Sequence, residues 1–184
     1  NINIEIISGD EEATLIYANH AEELLDKNSS YLYIDVGGGS TELTFYENGK
    51  IQYEKSFNIG TIRLLNNLVT EDMWYEMKSE IKKNILSKNA IFAIGSGGNI
   101  NKVFSLSKTK DGKPLSNTFI KKFHNSIKDL TVTERMNLLQ VREDRADVLA
   151  PALQIFQNVM HWADISQIYV PKISVADGLI KNIY

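Results

Sequence analysis

Three consecutive glycines, Gly37 to Gly39, follow an apolar run from Tyr31 to Val36 and are bracketed by two carboxylates, Asp35 and Glu42. The run reads as a buried strand with one acid near its C-terminal end. The glycines let the backbone turn sharply and come close to a ligand. After Ser40 and Thr41 the pattern resumes as Leu43, Phe45 and Tyr46, a second strand that closes a β-hairpin. A turn with bare amides, two hydroxyls and flanking acids suits phosphate. The amides bind oxygens, and the carboxylates can hold a divalent metal that bridges protein and phosphate. The alternative is a Gly-rich hairpin whose acids only face solvent.

The remaining chain alternates strands and helices around that hairpin. Asn1 to Ile7 alternates, with Ile2, Ile4 and Ile6 on one face, and Ser8 to Glu11 matches a capping box. Asp10, Glu11 and Glu12 then fall in a helix's first turn, where the macrodipole alone accounts for acids, and nothing local singles out Glu12. Asn48-Gly49 signals a second hairpin turn into a third strand, Ile51 to Phe57, making a meander. Asn58 to Thr61 breaks the pattern and opens a short helix through Arg63 and Leu65. Thr70 to Asp72 caps a longer one, with Met73, Trp74, Met77, Ile81, Ile85 and Leu86 as its apolar stripe and Lys78, Lys82, Lys83 and Lys88 as a solvated face.

Ala90 to Ile94 is a short apolar strand. The loop from Gly95 through Ser96, Gly97 and Gly98 follows it and leads into a helix through Val103, Phe104 and Leu106. Strand, glycine loop and helix N-terminus form a second candidate anion site. Helices are expected over Ser116 to Ile127 and from Thr131. The charged run Arg142 to Asp147 precedes a long helix in which Pro151 is expected in the first turn. Ser166 to Val170 is a last strand and Val175 to Ile183 a last helix. This order predicts an α/β fold with a mixed sheet: the antiparallel meander continues into parallel strands, with helices on both faces. Both glycine loops start at C-terminal strand ends, the edge where open α/β sheets bind ligands.

With 43% hydrophobic and 23% charged residues, the 184-residue chain can bury the core of one domain. A net charge of -3 provides no global attraction for nucleic acid or a membrane surface, so a polyanion must be held by local donors and metal. The absence of cysteine excludes disulfides, zinc–thiolate sites and thiol nucleophiles, and fits a cytoplasmic protein. No apolar stretch approaches a membrane span and no signal peptide is visible. The chain begins with Asn and opens in a strand, so a piece excised from a longer protein is expected.

Ser8-Gly9-Asp10-Glu11-Glu12-Ala13, then Ile34 to Glu42, then Gly95 to Gly98, in that order, resemble the exopolyphosphatase and guanosine pentaphosphate phosphohydrolase family. Asn58 to Leu64 is similar to that family's segment after the third strand. Arg145-Ala146-Asp147-Val148 and Val175 to Leu179 are similar to its closing segments, so the likeness covers nearly the whole chain. The resemblance implies a fold of the sugar kinase, actin and heat-shock-70 type, in which two ribonuclease-H-like lobes face each other across a cleft. It implies release of terminal phosphate from inorganic polyphosphate or guanosine pentaphosphate, usually with magnesium. By the same resemblance Glu12 is the catalytic glutamate that orients or deprotonates water, and Asp35 and Glu42 hold metal and water. Gly37, Gly38, Gly39, Ser40 and Thr41 form the phosphate turn, and Ser96, Gly97 and Gly98 the second loop. Phosphoanhydride hydrolysis needs in-line water, a base and charge neutralisation; a carboxylate base with metal-bound oxygens supplies these, and cysteine and histidine are not required.

By the same resemblance the family's N-terminal lobe, with its own phosphate turn, is expected to be missing here, with Asn1 to Ile7 expected as its last strand. Residues 1–184 are therefore expected to be a single domain, the second lobe, and to be inactive or nearly so alone. Ile180-Lys181-Asn182 stands where many members have Arg-Glu-Gly, and Asn99 where Thr is frequent. An unpaired apolar strand tends to pair with another chain, so a homodimer through the N-terminus is expected. Two rival functions remain open at this level. One is a module that senses polyphosphate or an alarmone without turnover. The other is an actin-like ATP-binding lobe, whose nucleotide turn has a similar glycine pattern.

Overall fold

The computed structural model describes residues 29–171, which fall in one compact unit. The expected strand at residues 1–7, the capped helix with Glu12 and the final helix from Val175 lie outside the described residues.

Strands β1 (Ser30–Val36), β2 (Thr41–Glu47) and β3 (Lys50–Phe57) form the antiparallel meander. Asn48 and Gly49, at φ 54° and 74°, make the left-handed two-residue turn that matches strand twist. β4 (Ile91–Ser96) pairs parallel with β1, and β6 (Gln167–Tyr169) parallel with β4. A two-residue strand the sequence did not suggest, β5 (Leu115–Ser116), pairs antiparallel with β6 at the edge. The described strands thus form one mixed sheet in the order β3-β2-β1-β4-β6-β5.

The helices are α1 (Thr61–Leu65), α2 (Glu71–Asn84), α3 (Gly98–Ser107), α4 (Asn117–Ile127), α5 (Val132–Leu139) and α6 (Glu143–Trp162). Side chains of Thr70, Ser116 and Thr131 accept from the third helical amide of α2, α4 and α5, which satisfies donors that a helix start leaves open. Three expectations are corrected. β4 extends through Gly95 and Ser96, so the second glycine loop shrinks to Gly97 alone. The α2 stripe ends at buried Ile85, and Leu86, beyond the helix, is 67% exposed. Pro151 lies well inside α6 rather than in its first turn, because the charged run is itself the helix start. Arg142 is the N-cap, and Glu143 and Asp144 complement the dipole in the first turn. An interior proline costs about 3 kcal/mol. Burying Leu149, Leu153, Ile155, Phe156 and Val159 on the same helix, at about 1.5–3 kcal/mol each, outweighs that.

The core forms where Leu32, Ile34 and Val36 of β1, Leu43 and Phe45 of β2 and Ala93 of β4 meet Met77, Ile81, Ile100, Val103 and the α6 stripe. Trp74 on α2 and Trp162 on α6 meet edge to face, with centroids 5.8 Å apart. Every β1 residue is buried except Asp35, which is partly exposed. No described helix is long and apolar enough to cross a membrane.

His124 on α4 shares a 3.1 Å hydrogen bond with Gln157 on α6. Burial pushes its imidazole below the usual range, and Lys128 and Arg135 push the same way. The unfolded chain therefore takes up the proton first as pH falls below about 6.5. Stability should be full above that value and decline as pH drops through the folded-state pKa. Thermal unfolding across pH 7.5 to 5 should show this slope (window set by the ordinary histidine value), and His124→Gln should flatten it.

Candidate active site

Residues directly opposed across neighbouring strands share a sheet face. Asp35 on β1 opposes Glu42 on β2 and is in register with Ser96 on β4, while Glu42 opposes Ser56 on β3. Ser56, Glu42, Asp35 and Ser96 thus form a row across four strands, at the end where β1 and β4 stop. Glu42 is held from two sides: its Oε1 accepts from Ser40 Oγ at 2.6 Å and Ser56 Oγ at 3.0 Å. Its other oxygen accepts nothing from the described residues. Thr41, one residue along, falls on the opposite face, with its hydroxyl buried and donating to the Ile59 carbonyl at 2.6 Å. It braces the turn from inside and offers no hydroxyl to the open side.

None of Gly37, Gly38 and Gly39 takes a positive φ. Their use is closeness, because the segment from Ile59 to Arg63 lies directly on them. Thr61 N donates to Gly37 O at 3.0 Å, Ile62 N to Gly38 O at 2.9 Å, and Arg63 Nε to Gly39 O at 2.8 Å. Gly37 N donates to Ser40 O at 3.0 Å and closes the turn. Among the described residues the amides of Gly38, Gly39 and Ser40 have no backbone acceptor.

The second glycine turn meets the first at Asp35. Gly97, at φ 99° and ψ 156°, links β4 to α3, and a Cβ there would stand 3.2 Å from Asp35 Oδ1. Gly98 opens α3 under the Arg145 guanidinium, whose Nη1 would be 2.5 Å from a Cβ on Gly98. Arg145 has no carboxylate partner among the described residues. A cation at a helix's positive end is unfavourable unless an anion comes between them. Asn99 Oδ1, in the same turn, is buried with no hydrogen-bond partner among the described residues. Gly95, by contrast, packs: a Cβ there would fall 2.8 Å from Ile168 Cδ1 and 3.3 Å from Phe156.

The structure therefore brings Asp35, Glu42, Gly37 to Ser40, Ser96, Gly97 and Gly98 to one strand edge and turns the Thr41 hydroxyl inward. Glu12 is outside the described residues. Ser56, Arg63 and Arg145 join the edge without having been assigned a role from sequence. Strand parity would have found Ser56, since it opposes Glu42; nothing local places Arg145. No described cluster of three acids or histidines could cage a metal. Asp35 and Glu42 are two hard oxygen donors, which fits magnesium held by one or two carboxylates together with phosphate oxygens and water.

The described residues form a mixed α/β lobe with two glycine turns at the C-terminal edge of its parallel strands, a fold it shares with solved Ppx/GppA phosphatases. The Ppx/GppA phosphatase family profile matches residues 1–183, and the chain belongs to that family. A Ppx/GppA phosphatase of Aquifex aeolicus superposes with TM-score 0.79 at 23% identity, covering 97% of this chain and 64% of that one. An exopolyphosphatase from Cytophaga hutchinsonii superposes with TM-score 0.72 at 20% identity, covering 100% of this chain and 66% of that one. A guanosine-5'-triphosphate,3'-diphosphate pyrophosphatase of Aeromonas hydrophila is 40% identical over 67 residues, which span 36% of this chain and 13% of the relative.

Proposed function

We propose that this chain is the second lobe of a hydrolase that releases terminal phosphate from inorganic polyphosphate or guanosine pentaphosphate. One observation carries the reading: the Asp35–Glu42 pair stands beside a turn whose three carbonyls are all engaged and whose next three amides are not. In this reading the amides of Gly38, Gly39 and Ser40 bind the oxygens of the phosphoryl group. Arg145 supplies positive charge across from them, over the α3 start. Asp35 and Glu42 would hold magnesium, with Ser40 and Ser56 fixing the Glu42 carboxylate. When bound, the ion neutralises charge on the transferred phosphoryl. Glu12 orients and deprotonates the attacking water, a role that rests on the family resemblance. Transfer of this loose kind needs positioning and charge stabilisation more than covalent chemistry.

The test is phosphate release from polyphosphate and from guanosine pentaphosphate with magnesium, using the protein with both lobes. Glu12→Gln should reduce release about 10²–10⁴-fold, the usual contribution of a positioned base. Binding of either compound without release by the parent protein would replace the hydrolase with a sensing module.

A further inference from the structure

We propose that Arg63 is the positioning residue that aims the last amide of the glycine turn, and so sets the turn's affinity for polyphosphate. The proposal rests on the phosphate reading of that turn. A trans peptide points its C=O and the following N–H in opposite directions, and no described peptide is cis. Pinning the carbonyls of Gly37, Gly38 and Gly39 against the Ile59–Arg63 segment therefore points the N–H groups of Gly38, Gly39 and Ser40 away from it. Thr61 N holds the first plane, and Ile62 N at 2.9 Å and Arg63 N at 3.3 Å hold the second. These pins are backbone and survive a side-chain change at Arg63.

The third plane, Gly39 to Ser40, is held by a side chain, Arg63 Nε at 2.8 Å from Gly39 O. Once released, the plane can swing about ψ of Gly39 and φ of Ser40, and glycine leaves its side of that pair little restricted. Swung away, it would no longer aim the Ser40 N–H at the phosphate oxygens, and one donor to phosphate would be lost. Lysine cannot replace this pin: its ammonium sits at the end of a flexible stem and has no planar N–H at the Nε position. No substitution at Arg63 touches the Asp35–Glu42 pair directly.

The experiment uses the 184-residue chain labelled with ¹⁵N. N–H residual dipolar couplings of Gly38, Gly39 and Ser40 are measured without ligand, followed by titration with inorganic tripolyphosphate and magnesium. In Arg63→Gln and Arg63→Lys the Ser40 coupling should change while Gly38 and Gly39 keep theirs. Tripolyphosphate should bind about tenfold more weakly, matching the loss of one donor to a charged group. A purely structural role would shift all three couplings together. An unchanged Ser40 coupling in both variants overturns the pin, whether or not tripolyphosphate binds. A parent chain in which tripolyphosphate moves none of the three amides overturns the phosphate reading instead, and with it the functional half of the proposal.

Discussion

Gly60→Ala should be the most destabilising single-methyl change in the described fold. Gly60 has φ -140°, which alanine adopts freely, so the objection is steric. A Cβ would press on Gly38 O and stand 2.5 Å from Gly39 C and 2.6 Å from Gly38 C. These are backbone atoms, and the bonds from Thr61 and Ile62 hold them in place. The methyl can be accommodated only by parting the segment from the turn. Overpacking costs about 1–3 kcal/mol, and the lost hydrogen bonds add about 1 kcal/mol each, so about 3 kcal/mol or more is expected. Urea unfolding measures it. Gly39→Ala is the control: a Cβ there meets nothing within 4 Å, so a change within about 0.5 kcal/mol is expected. Equal stability of Gly60→Ala and its parent would refute the packing of Gly60 on the turn.

Gly97→Ala should damage stability and turnover together. Backbone at φ 99° and ψ 156° is nearly closed to residues with a side chain and costs about 1–3 kcal/mol. The added methyl would also stand 3.2 Å from Asp35 Oδ1 and 3.4 Å from Val36 O, so the carboxylate must move. With both lobes present, phosphate release should fall by at least about tenfold, equivalent to 1.4 kcal/mol of lost positioning. Full turnover in a destabilised Gly97→Ala protein would mean that Asp35 does not act from its position beside Gly97.

What was legible in the sequence was local. Strand period, the Asn48-Gly49 turn and threonine caps act over a few residues, and the meander and the Asp35–Glu42 pair follow from them. Strand parity separates the two neighbours: if Glu42 faces the site, Thr41 beside it must face the core. The glycines looked alike in sequence and differ in space. Gly60 is needed for backbone contact, Gly97 for its φ, Gly95 for packing against Ile168 and Phe156. Pro151 misled because propensity is a weak constraint on a helix buried along most of its length. Arg63 and Arg145 act on turns far from them in the chain, and no spacing rule reaches that distance.

The edge-to-face contact between Trp74 and Trp162 has an optical consequence. The chain has 2 tryptophans, and both are in this one contact between α2 and α6. Intrinsic fluorescence therefore reports a single seam, on helices that pack against the core. Emission will track melting of that seam and stay silent to a reorientation of the Gly39–Ser40 plane. A variant that loses phosphate release with unchanged emission has kept this seam and is defective in the site, whereas one that loses both has been altered through the fold.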